Sequence, residues 1–568
     1  MERHPTTDVC VIGLGAAGGI LAAELAKAGL SVVGLEAGPY LSREYFEEQP
    51  ELQDELAHFR LGRLRWNEPE TLVYNGSAPA TFPVISRNIG VGGPLHWSCI
   101  SYRFHESDFR VKSQSGVPVG TSVEDWPLGY SDLEPYYDRA EYEFGVAGKA
   151  GCNRFEAQRS RPYPMPPLPA RPAGECFAAA ACELGYQPYP VPAAITTRSH
   201  YGGKEFREVC DTCGRCTFYG CRHHAKGVNL VVTLPEALDT GMLVIRAESL
   251  ATTITVDEKG RADSVLYLDR EGHPHEQPAR VIIAANNAAY VARLLLISCC
   301  ERFPSGLANS SGLVGKNLTF HASSFGYGTF PDHEFKVGLD PQAAAAFDDL
   351  NEDRPRQNCD QSFIRGAVIS GGIALPFTGG PLAFATSVGT FISLPSGVAC
   401  WGKSFKDFLY DSYNRYFAVF ALCEDLPVEE NRVELDENLR DRFGLPSLRI
   451  VYRDSENTLA MQKFMRGRIE QLLRTAGARD VVTALPGMPG GAAAGHVMGT
   501  TRMGDDPRRS VVNQYGQTHD VRNLFVGGSG TFVTSAGLNP TLTIFALAYR
   551  TADYIRDQWR QGAFEADA

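Results

Sequence analysis

Apolar and polar residues alternate in blocks over the first forty positions of the chain. Val9 to Ile12 is a short apolar run of the kind that forms buried parallel strands, and Leu30 to Leu35 is a second such run. Between them, Ile20 to Ala28 is rich in Ala and Leu and predicts a helix, which Gly29 ends. The pattern predicts a strand–helix–strand unit.

The later hydrophobic pattern separates two kinds of sheet. A buried strand at Val281 to Ala285, followed by a helix, is typical of a return to the first sheet. Predicted strands at Phe363 to Leu375 and Tyr416 to Leu422, with a helix at Ser455 to Ala476, indicate a separate and mainly antiparallel sheet. Near the end, a short strand precedes an apolar helix that reaches Tyr554. We therefore expect an α/β fold with two large substructures.

Three glycines lie between the first strand and the first helix. Gly13, Gly15 and Gly18 form G-x-G-x-x-G, and Glu36 ends the second strand. In such units the glycines permit a tight turn, a close approach of the backbone to a pyrophosphate, and close packing of helix on strand. The helix N-terminus offers N–H groups to phosphates, and the acidic residue can accept hydrogen bonds from a ribose diol. This order of elements favours a dinucleotide site over an unrelated glycine-rich turn.

Length and charge narrow the function classes. The 568 residues are too many for one core. The net charge of −12 and the pI of about 5.6 argue against nucleic acid or an anionic membrane surface as a partner. Neither an apolar run near the ~18 residues of a spanning helix nor a signal-peptide pattern is evident. We expect a cytoplasmic protein without direct membrane insertion, with periplasmic export on a partner subunit as the alternative.

A second glycine group lies beside an aromatic pair. Gly90, Gly92 and Gly93 suggest backbone that lies against a flat or charged ligand, and His96 and Trp97 follow them. Taken alone, this segment is more typical of a loop turn with a packed Trp.

These segments, with two near the C-terminus, resemble the glucose–methanol–choline (GMC) oxidoreductases over nearly the whole chain. The resemblance is carried by Gly13 to Gly18 with Glu36, Gly92-Gly93 with His96-Trp97, Asn317 in Val-Gly-Lys-Asn-Leu, and above all His496 and Asn539. Within the family the chain is most similar to bacterial FAD-dependent sugar dehydrogenases, such as the glucose dehydrogenase catalytic subunit, gluconate 2-dehydrogenase, fructose dehydrogenase and glucoside 3-dehydrogenase. Pyranose 2-oxidase is a more distant relative.

The resemblance implies FAD, which the glycine motif alone does not distinguish from NAD because both carry ADP. The residues that it implies for FAD binding are Gly13, Gly15, Ala16, Ala17, Gly18, Glu36, Ala37, Gly92, Gly93, His96, Gly528, Asn539, Pro540 and Thr541. It implies a FAD-binding domain over residues 1–319, with connecting and cysteine-rich segments at 41–226. A substrate domain over 320–490 and a return to the FAD-binding domain over 491–568 complete this division.

The glycine loop before His96 departs from the family pattern. It is one residue shorter than usual and carries Pro94, which has no N–H to donate to a flavin. In pyranose 2-oxidase the residue matching His96 is joined covalently to FAD. Here we expect noncovalent FAD.

The chemistry of alcohol oxidation assigns roles to two residues. Hydride transfer from a carbinol carbon requires removal of the hydroxyl proton, and a neutral histidine is the natural base near neutral pH. In the family, the positions of His496 and Asn539 meet at the reactive face of the flavin. The resemblance therefore implies that His496 is the base and that Asn539 orients the hydroxyl.

The resemblance leaves the electron acceptor and the substrate open. We expect a dehydrogenase that oxidises a sugar, glycoside or polyol to the ketone or lactone and passes electrons to a non-O₂ acceptor. An O₂-using oxidase is the main alternative, and a redox-silent lyase is a remote one. Phe320, Trp401 and Tyr410 are candidate sugar contacts, although each also fits ordinary core or surface.

Partners follow from the same resemblance. The sequence has no Cys-x-x-Cys-His haem site. The most similar family members work with a small subunit that carries an export signal and with a multihaem cytochrome. We therefore expect such a subunit and a cytochrome acceptor, with a stand-alone cytoplasmic enzyme as the alternative.

Four of the fourteen cysteines are clustered. Cys210, Cys213, Cys216 and Cys221 have the spacing C-x2-C-x2-C-x4-C, close to a ferredoxin-type run but one residue longer and without its proline. A [3Fe–4S] or [4Fe–4S] cluster is the favoured interpretation, since a related catalytic subunit holds such a cluster here with different spacing. A structural zinc site and a metal-free structural loop are the alternatives.

Overall fold

The computed structural model describes residues 1–48, 68–82, 90–217, 219–335, 338, 344–359, 361–373, 393–483 and 495–565. Its strands are β1 (Glu2–Arg3), β2 (Thr7–Ile12), β3 (Val32–Leu35), β4 (Glu70–Tyr74), β5 (Ala80–Phe82), β6 (Tyr189–Pro190), β7 (Leu243–Arg246), β8 (Leu250–Val256), β9 (Ala262–Leu268), β10 (Pro274–Ala284), β11 (Ser324–Thr329), β12 (Ala345–Phe347), β13 (Ala367–Ile373), β14 (Tyr416–Cys423), β15 (Arg432–Arg440), β16 (Pro446–Tyr452), β17 (Asp480–Val482) and β18 (Leu524–Val526).

The helices connect and cover these strands. They are α1 (Ala16–Lys27), α2 (Arg43–Glu47), α3 (Val111–Ser115), α4 (Tyr130–Phe144), α5 (Pro172–Glu183), α6 (Asn229–Val232), α7 (Leu234–Asp239), α8 (Ala288–Ile297), α9 (Arg354–Cys359), α10 (Gly402–Ser412), α11 (Glu456–Thr475) and α12 (Thr541–Arg560), with 3₁₀ turns at Glu106–Phe109, Tyr201–Gly203 and Ser529–Thr531. Among the described residues, no helix has the length and apolar character needed to cross a membrane.

The first sheet contains the predicted strand–helix–strand unit. It has eight strands, with β7, β3, β2 and β10 adjacent in that order, and β18 also pairs with β10. All these pairings are parallel. The far side is antiparallel, because β9 pairs with the first half of β10 and β8 pairs with β9. This mixed sheet is the predicted Rossmann-type unit with an antiparallel extension.

Two smaller sheets complete the fold. One has six strands in the order β17-β11-β14-β13-β12-β6, and every pairing in it is antiparallel, as predicted. The other has four strands in the order β15-β16-β4-β5. Because β4 and β6 precede residue 320 yet pair with later strands, the sheets interleave in sequence. The predicted domain limits stay a prediction, and the limit at 490 lies outside the described residues.

The observed elements differ from the predicted ones mainly at their ends. The helix predicted from Ser455 to Ala476 spans Glu456–Thr475, and Ser455 is its N-cap. The strand predicted from Phe363 to Leu375 begins only at Ala367, and Leu375 lies outside the described residues. Strand β10 begins at Pro274, earlier than predicted, because its polar first half pairs with β9 and lacks an apolar signal.

A buried arginine joins segments that are distant in sequence. The side chain of Arg365 is fully buried between two carboxylates. Its Nη2 donates a hydrogen bond to Asp108, and its Nε donates one of 2.7 Å to Oε2 of Glu424. Burial raises the pKa of both carboxyl groups, and the guanidinium opposes this shift. Glu424 also forms a β-bridge with His321. The buried guanidinium of Arg365 therefore holds Glu424, directly after β14, beside His321.

Removal of this cation tests its structural role. Arg365→Met leaves Asp108 and Glu424 buried without a counter-charge, so we expect the free energy of unfolding to fall by roughly 3–5 kcal/mol. Urea denaturation followed by tryptophan fluorescence measures this change. Lys403→Met is the matched control, because the Lys403–Asp407 pair is exposed and is worth about 0–1 kcal/mol. Equal losses in the two variants would contradict the role of Arg365.

Candidate active site

The three glycines of the first motif occupy the environments that a dinucleotide loop needs. Gly13 has a positive φ of 87°, and an added Cβ would lie 2.7 Å from the Cα of Asn286. A Cβ on Gly18 would lie 1.8 Å from the carbonyl oxygen of Gly13. A Cβ on Gly15 would meet nothing within 4 Å. The backbone therefore makes the tight turn at Gly13, the helix packs closely on the strand at Gly18, and the space next to Gly15 is open.

The N-terminus of α1 opens into this space. Gly15 is the N-cap, and no side chain caps the helix there. Ala16 and Ala17 form the first turn, so their N–H groups point out of the helix end. An anionic pyrophosphate fits this donor set.

The second glycine group packs against the first. The N–H of Gly92 donates to the carbonyl oxygen of Leu14 at 3.0 Å, and a Cβ on Gly93 would lie 3.6 Å from the Cα of Gly15. The Nδ2 of Asn229 donates to the carbonyl oxygens of Gly15 and Gly93, at 2.8 and 3.2 Å. One amide side chain therefore holds the two loops together.

A third segment reaches the same place from the C-terminal part of the chain. Gly528 follows β18 with a positive φ of 94°, and a Cβ there would lie 3.6 Å from the Cβ of Ala17. Further along, Asn539 and Pro540 directly precede α12, which begins at Thr541. A second helix N-terminus therefore starts shortly after this segment, as the sequence predicts.

Glu36 lies buried at the end of β3. Its Oε2 accepts the N–H of Leu14 and its Oε1 accepts that of Gly38, both at 2.9 Å. Burial raises the pKa of its carboxyl group, and these backbone donors oppose the shift. A cavity of about 220 Å³ opens beside Ala37 and is lined also by Glu248, Leu250, Asp269, Arg270, Arg442 and Phe443. The predicted ribose acceptor is thus positioned by the same loop that carries the glycines.

Buried polar atoms near these loops fit a bound ligand. The Oδ1 of Asn286, beside Gly13, and the indole N–H of Trp97 are buried and make no hydrogen bond within the described residues. His96 is also buried, and the ring of Trp97 packs edge-on against Phe545 of α12. The open space at Gly15, the uncapped helix and these orphaned atoms together fit a flavin dinucleotide.

A histidine pair lies where the C-terminal loop meets β11. Thr319 and Met498 form an antiparallel bridge through two backbone hydrogen bonds of 3.1 and 3.0 Å. His321 follows Thr319 by two residues and His496 precedes Met498 by two, so this antiparallel register brings the two histidines opposite each other, with their Nδ1 atoms 2.9 Å apart. The Nε2 of His321 lies 3.0 Å from the carbonyl oxygen of Ala536. His496 is therefore tied, through His321, to the loop that leads to Asn539.

The tautomers of this pair follow from the carbonyl group. A carbonyl oxygen only accepts, so Nε2 of His321 carries a hydrogen and donates it. Burial is the main cause that lowers the pKa of His321 well below its usual value, and the neighbouring His496 adds to the shift. The ring is therefore neutral, and its Nδ1 carries a lone pair that accepts a hydrogen bond. The Nδ1 of His496 must then be the donor. Its Nε2 is left with a lone pair and makes no hydrogen bond to the described residues.

Sequence reasoning missed two residues of this site. His321 and Asn229 carry no local motif, and both matter through contacts with residues far away in sequence. The only available signal for His321 was its position four residues after Asn317, which carries part of the family resemblance. For the predicted residues, the structure supplies positions, and their roles stay predictions.

The four clustered cysteines line one pocket. Its volume is about 110 Å³, and its other lining residues include Phe46, Asp211, Arg215, Arg222, His223 and Lys226. Cys216 is buried, whereas Cys213 is exposed. Within the described residues, no three of these cysteine sulfurs lie within 4.8 Å of one another. The groups of ligand side chains that meet this distance are Glu2 with His4 and His275, and Asp269 with Glu271 and His273.

A buried lysine holds the cysteine loop in place through three hydrogen bonds. The Nζ of Lys226 donates to the carbonyl oxygens of Leu95, Cys216 and Tyr219, each at 2.9 Å. Leu95 directly precedes His96, so the loop is fixed to the second glycine segment. The cysteine pocket therefore lies beside the predicted flavin region.

The candidate sugar-binding aromatics are one core residue and two exposed residues. Phe320 is core and packs edge-on against Tyr452. Trp401, directly before α10, is 77% exposed, and Tyr410, on α10, is 83% exposed. The interpretation of these residues as ordinary core and surface therefore holds.

Comparisons with known proteins agree with this geometry. A family model described as GMC oxidoreductase matches residues 427–548. The 2-methyl-1,2-propanediol dehydrogenase of Mycolicibacterium austroafricanum is 32% identical over 97% of this chain and 95% of its own. The fructose dehydrogenase large subunit of Gluconobacter japonicus is 28% identical over 98% of this chain and 99% of its own.

The fold is also that of a known structure. A formate oxidase of Aspergillus oryzae superposes with a TM-score of 0.64 over 99% of both chains, at 15% identity. This likeness concerns the fold alone, whereas the full-length identity above carries the family assignment. The chain belongs to the GMC oxidoreductase family, whose members are enzymes that bind FAD.

Proposed function

We propose that this protein oxidises a CH–OH group of a sugar, glycoside or polyol to the ketone or lactone and passes the electrons to an acceptor other than O₂. Bound FAD supplies the hydride acceptor in such a reaction. Support comes from the pair of His496 and His321, which together present an imidazole with a free lone pair at Nε2. The names of the two relatives, a diol dehydrogenase and a fructose dehydrogenase, support the substrate class.

His496 acts as the base that takes the hydroxyl proton. Burial lowers the pKa of His496 to about 4, so the ring is neutral and able to accept a proton across the neutral range. As it becomes charged, its Nδ1–H strengthens the hydrogen bond that it donates to His321. The Ala536 carbonyl holds His321 in the accepting tautomer. His321 is therefore a positioning residue, and Asn539 orients the hydroxyl.

We further propose that FAD is bound noncovalently by the three converging glycine segments and the N-termini of α1 and α12. The residues that would hold it are those predicted above, with Asn229 and Asn286 as additional polar groups. Asn229 fixes the distance between two of the loops, and the Oδ1 of Asn286 is available as an acceptor.

A partner that removes the electrons is part of the proposal. The Gluconobacter relative is named as a large subunit, which indicates further subunits in that enzyme. By analogy, a small subunit with an export signal and a cytochrome would serve this chain and carry it to the periplasm. Fractionation of the native host distinguishes this arrangement from a stand-alone cytoplasmic enzyme, because activity confined to the cytosol without a co-purifying subunit rejects the partner.

We also propose that Cys210, Cys213, Cys216 and Cys221 hold an iron–sulfur cluster. Support comes from four thiols that line one pocket beside the second glycine segment, on a loop that the buried Lys226 holds through the Cys216 carbonyl. Burial raises the pKa of Cys210 to about 12 and that of Cys213 to about 11, so binding of the metal would have to release their protons. When bound, such a cluster would accept single electrons. The residues contribute sulfur ligands, and Lys226 fixes the loop that carries them.

The histidine roles predict distinct effects of three variants. His496→Ala should lower the rate of flavin reduction by substrate about 10²–10⁴-fold while FAD stays bound. His321→Gln keeps a donor for the Ala536 carbonyl but loses the acceptor for His496. We expect the rate of flavin reduction to fall roughly tenfold, because one hydrogen bond is lost. His321→Asn keeps the acceptor and should lose less. Anaerobic stopped-flow absorbance measures these rates.

The pH dependence separates positioning from a merely structural effect. The neutral form of His496 is the active one, so kcat/KM should be lost as pH falls through its pKa, with the acid limb below the usual value of 6.5. His321→Gln should lower kcat at every pH with little change in KM or FAD content. Equal rates for the Gln and Asn variants, or loss of FAD in both, would contradict the positioning role.

Substrate and acceptor are tested together. We expect rapid dye reduction with at least one of glucose, a glucoside, gluconate or sorbitol, and little with a long-chain alcohol. Parallel assays in air without dye should yield little hydrogen peroxide. Fast peroxide formation would instead identify an oxidase, and preference for the long-chain alcohol would reject the carbohydrate class.

The cluster predicts the metal content of the protein. After anaerobic purification we expect a brown protein with several iron atoms and sulfides per FAD, and Cys213→Ser should lower the iron content while FAD is retained. Iron and sulfide analysis with electron paramagnetic resonance measures this. A yellow protein without iron would reject the cluster, and zinc in its place would identify a structural site.

A further inference from the structure

Two histidines and a glutamate converge where the start of the chain joins the first sheet. Strand β1 pairs in parallel with β10, and Glu2 lies directly opposite His275. His4 follows Glu2 by two residues and therefore projects from the same face. One ligand atom from each of Glu2, His4 and His275 lies within 4.8 Å of the other two.

The donor atoms have the spacing of ligands around one small cation. The Nδ1 of His275 lies 3.3 Å from Oε2 of Glu2, and the Nδ1 of His4 lies 3.9 Å from Oε1. Zinc bonds of about 2.0–2.2 Å in a tetrahedral site place neighbouring ligand atoms about 3.4 Å apart. The rings of His4 and His275 are stacked, with centroids 5.5 Å apart and planes 9° apart, so a shared ion requires one ring to rotate. Glu2, which is 65% exposed, can reorient with it.

The remote nitrogens of both rings are held by outer partners. The Nε2 of His275 lies 3.2 Å from Oδ2 of Asp269, which as a carboxylate can only accept. The Nε2 of His4 lies 2.8 Å from the hydroxyl oxygen of Tyr267. A carboxylate behind the ring, as at His275, is a usual support of a metal-binding histidine, since it orients the ring and leaves the other nitrogen for the metal. At His4 the Tyr267 hydroxyl occupies this position.

The inner side of His275 lacks a hydrogen-bond partner. Its Nδ1 is buried and makes no hydrogen bond to any described residue, although the Glu2 carboxylate is only 3.3 Å away. A cation between this nitrogen and the Glu2 oxygen would give both atoms a ligand bond.

The surrounding charge favours a divalent ion. Glu2 and Asp269 contribute two negative charges at the site. The nearest arginine in the hydrogen-bond network, Arg246, donates to the Tyr267 hydroxyl at 3.0 Å and to Gln277 at 2.8 Å. Tyr267 lies between this cation and the Nε2 of His4, although Arg246 still opposes positive charge on His4.

We propose that Glu2, His4 and His275 bind a divalent transition metal ion of the Zn²⁺ class. Two imidazole nitrogens and one carboxylate oxygen are a common zinc ligand set, and water completes the coordination. Asp269 and Tyr267 are the outer-shell supports. The ion adds to the contacts that join β1 to β10, which include the His4 N–H to Glu276 carbonyl bond of 2.9 Å and the ion pair of Arg3 with Glu276 at 2.6 Å.

Zinc titration of the FAD-loaded, chelator-washed full chain tests the site. Competition with a chromophoric zinc indicator gives the number of sites and their affinity. We expect the wild type to bind one Zn²⁺ more than His4→Gln and His275→Gln. His333→Gln is the control, because His333 is exposed and belongs to neither group of ligand side chains found in the described residues, and it should bind like the wild type. The cysteine pocket and the ligand side chains at 269–273 are present in all of these proteins, so the difference reports the site of Glu2, His4 and His275.

A second variant keeps the test decisive if a ligand variant folds poorly. Asp269→Asn retains all three ligands and removes the outer carboxylate, so affinity should fall about 10–100-fold. Zinc should also slow amide exchange at Arg3 and His4 in the wild type and not in His275→Gln. Equal zinc stoichiometry and affinity, within twofold, in the wild type, His4→Gln and His275→Gln would overturn the site, as would a wild type that binds no Zn²⁺ outside the cysteine pocket.

Discussion

The pairing of β10 is the constraint on which the rest of the structure depends. Its last residues pair in parallel with β2 on one side and with β18 on the other. The carboxyl ends of these three strands therefore meet at one edge of the sheet. The segments that leave this edge are the first glycine loop, the segment containing Asn286, and the segment containing Gly528. Distant parts of the chain reach one ligand site because one strand aligns them.

The first half of β10 serves a different purpose. It pairs with β9 in antiparallel fashion and with β1 in parallel, and these pairings bury the polar residues Glu276 and Gln277. His275 and Tyr267 are direct cross-strand partners, and their rings stack at 5.0 Å. The same strand thus supports the flavin region at one end and a histidine-rich cluster at the other.

Buried charge positions the loops that the sheets leave open. Arg365 fixes the segment beside His321, and Lys226 closes the cysteine loop on three carbonyl oxygens. A buried charge without its partners is costly, so each of these residues selects one loop conformation. The neutral histidine pair is the opposite case, because burial removes its charge and leaves a base.

The sequence by itself determined the local units of this protein. The turn at Gly13, the packing at Gly18, the acid at Glu36 and the helix after Ser455 depend on neighbours along the chain, and each was predicted within a few residues. The family motifs also pointed to His496 and Asn539. Only the tertiary structure decided which side chains meet across sheets. His321 pairs with His496 from 175 residues away, and Glu2 faces His275, because strand register brings them together and no local pattern encodes that register.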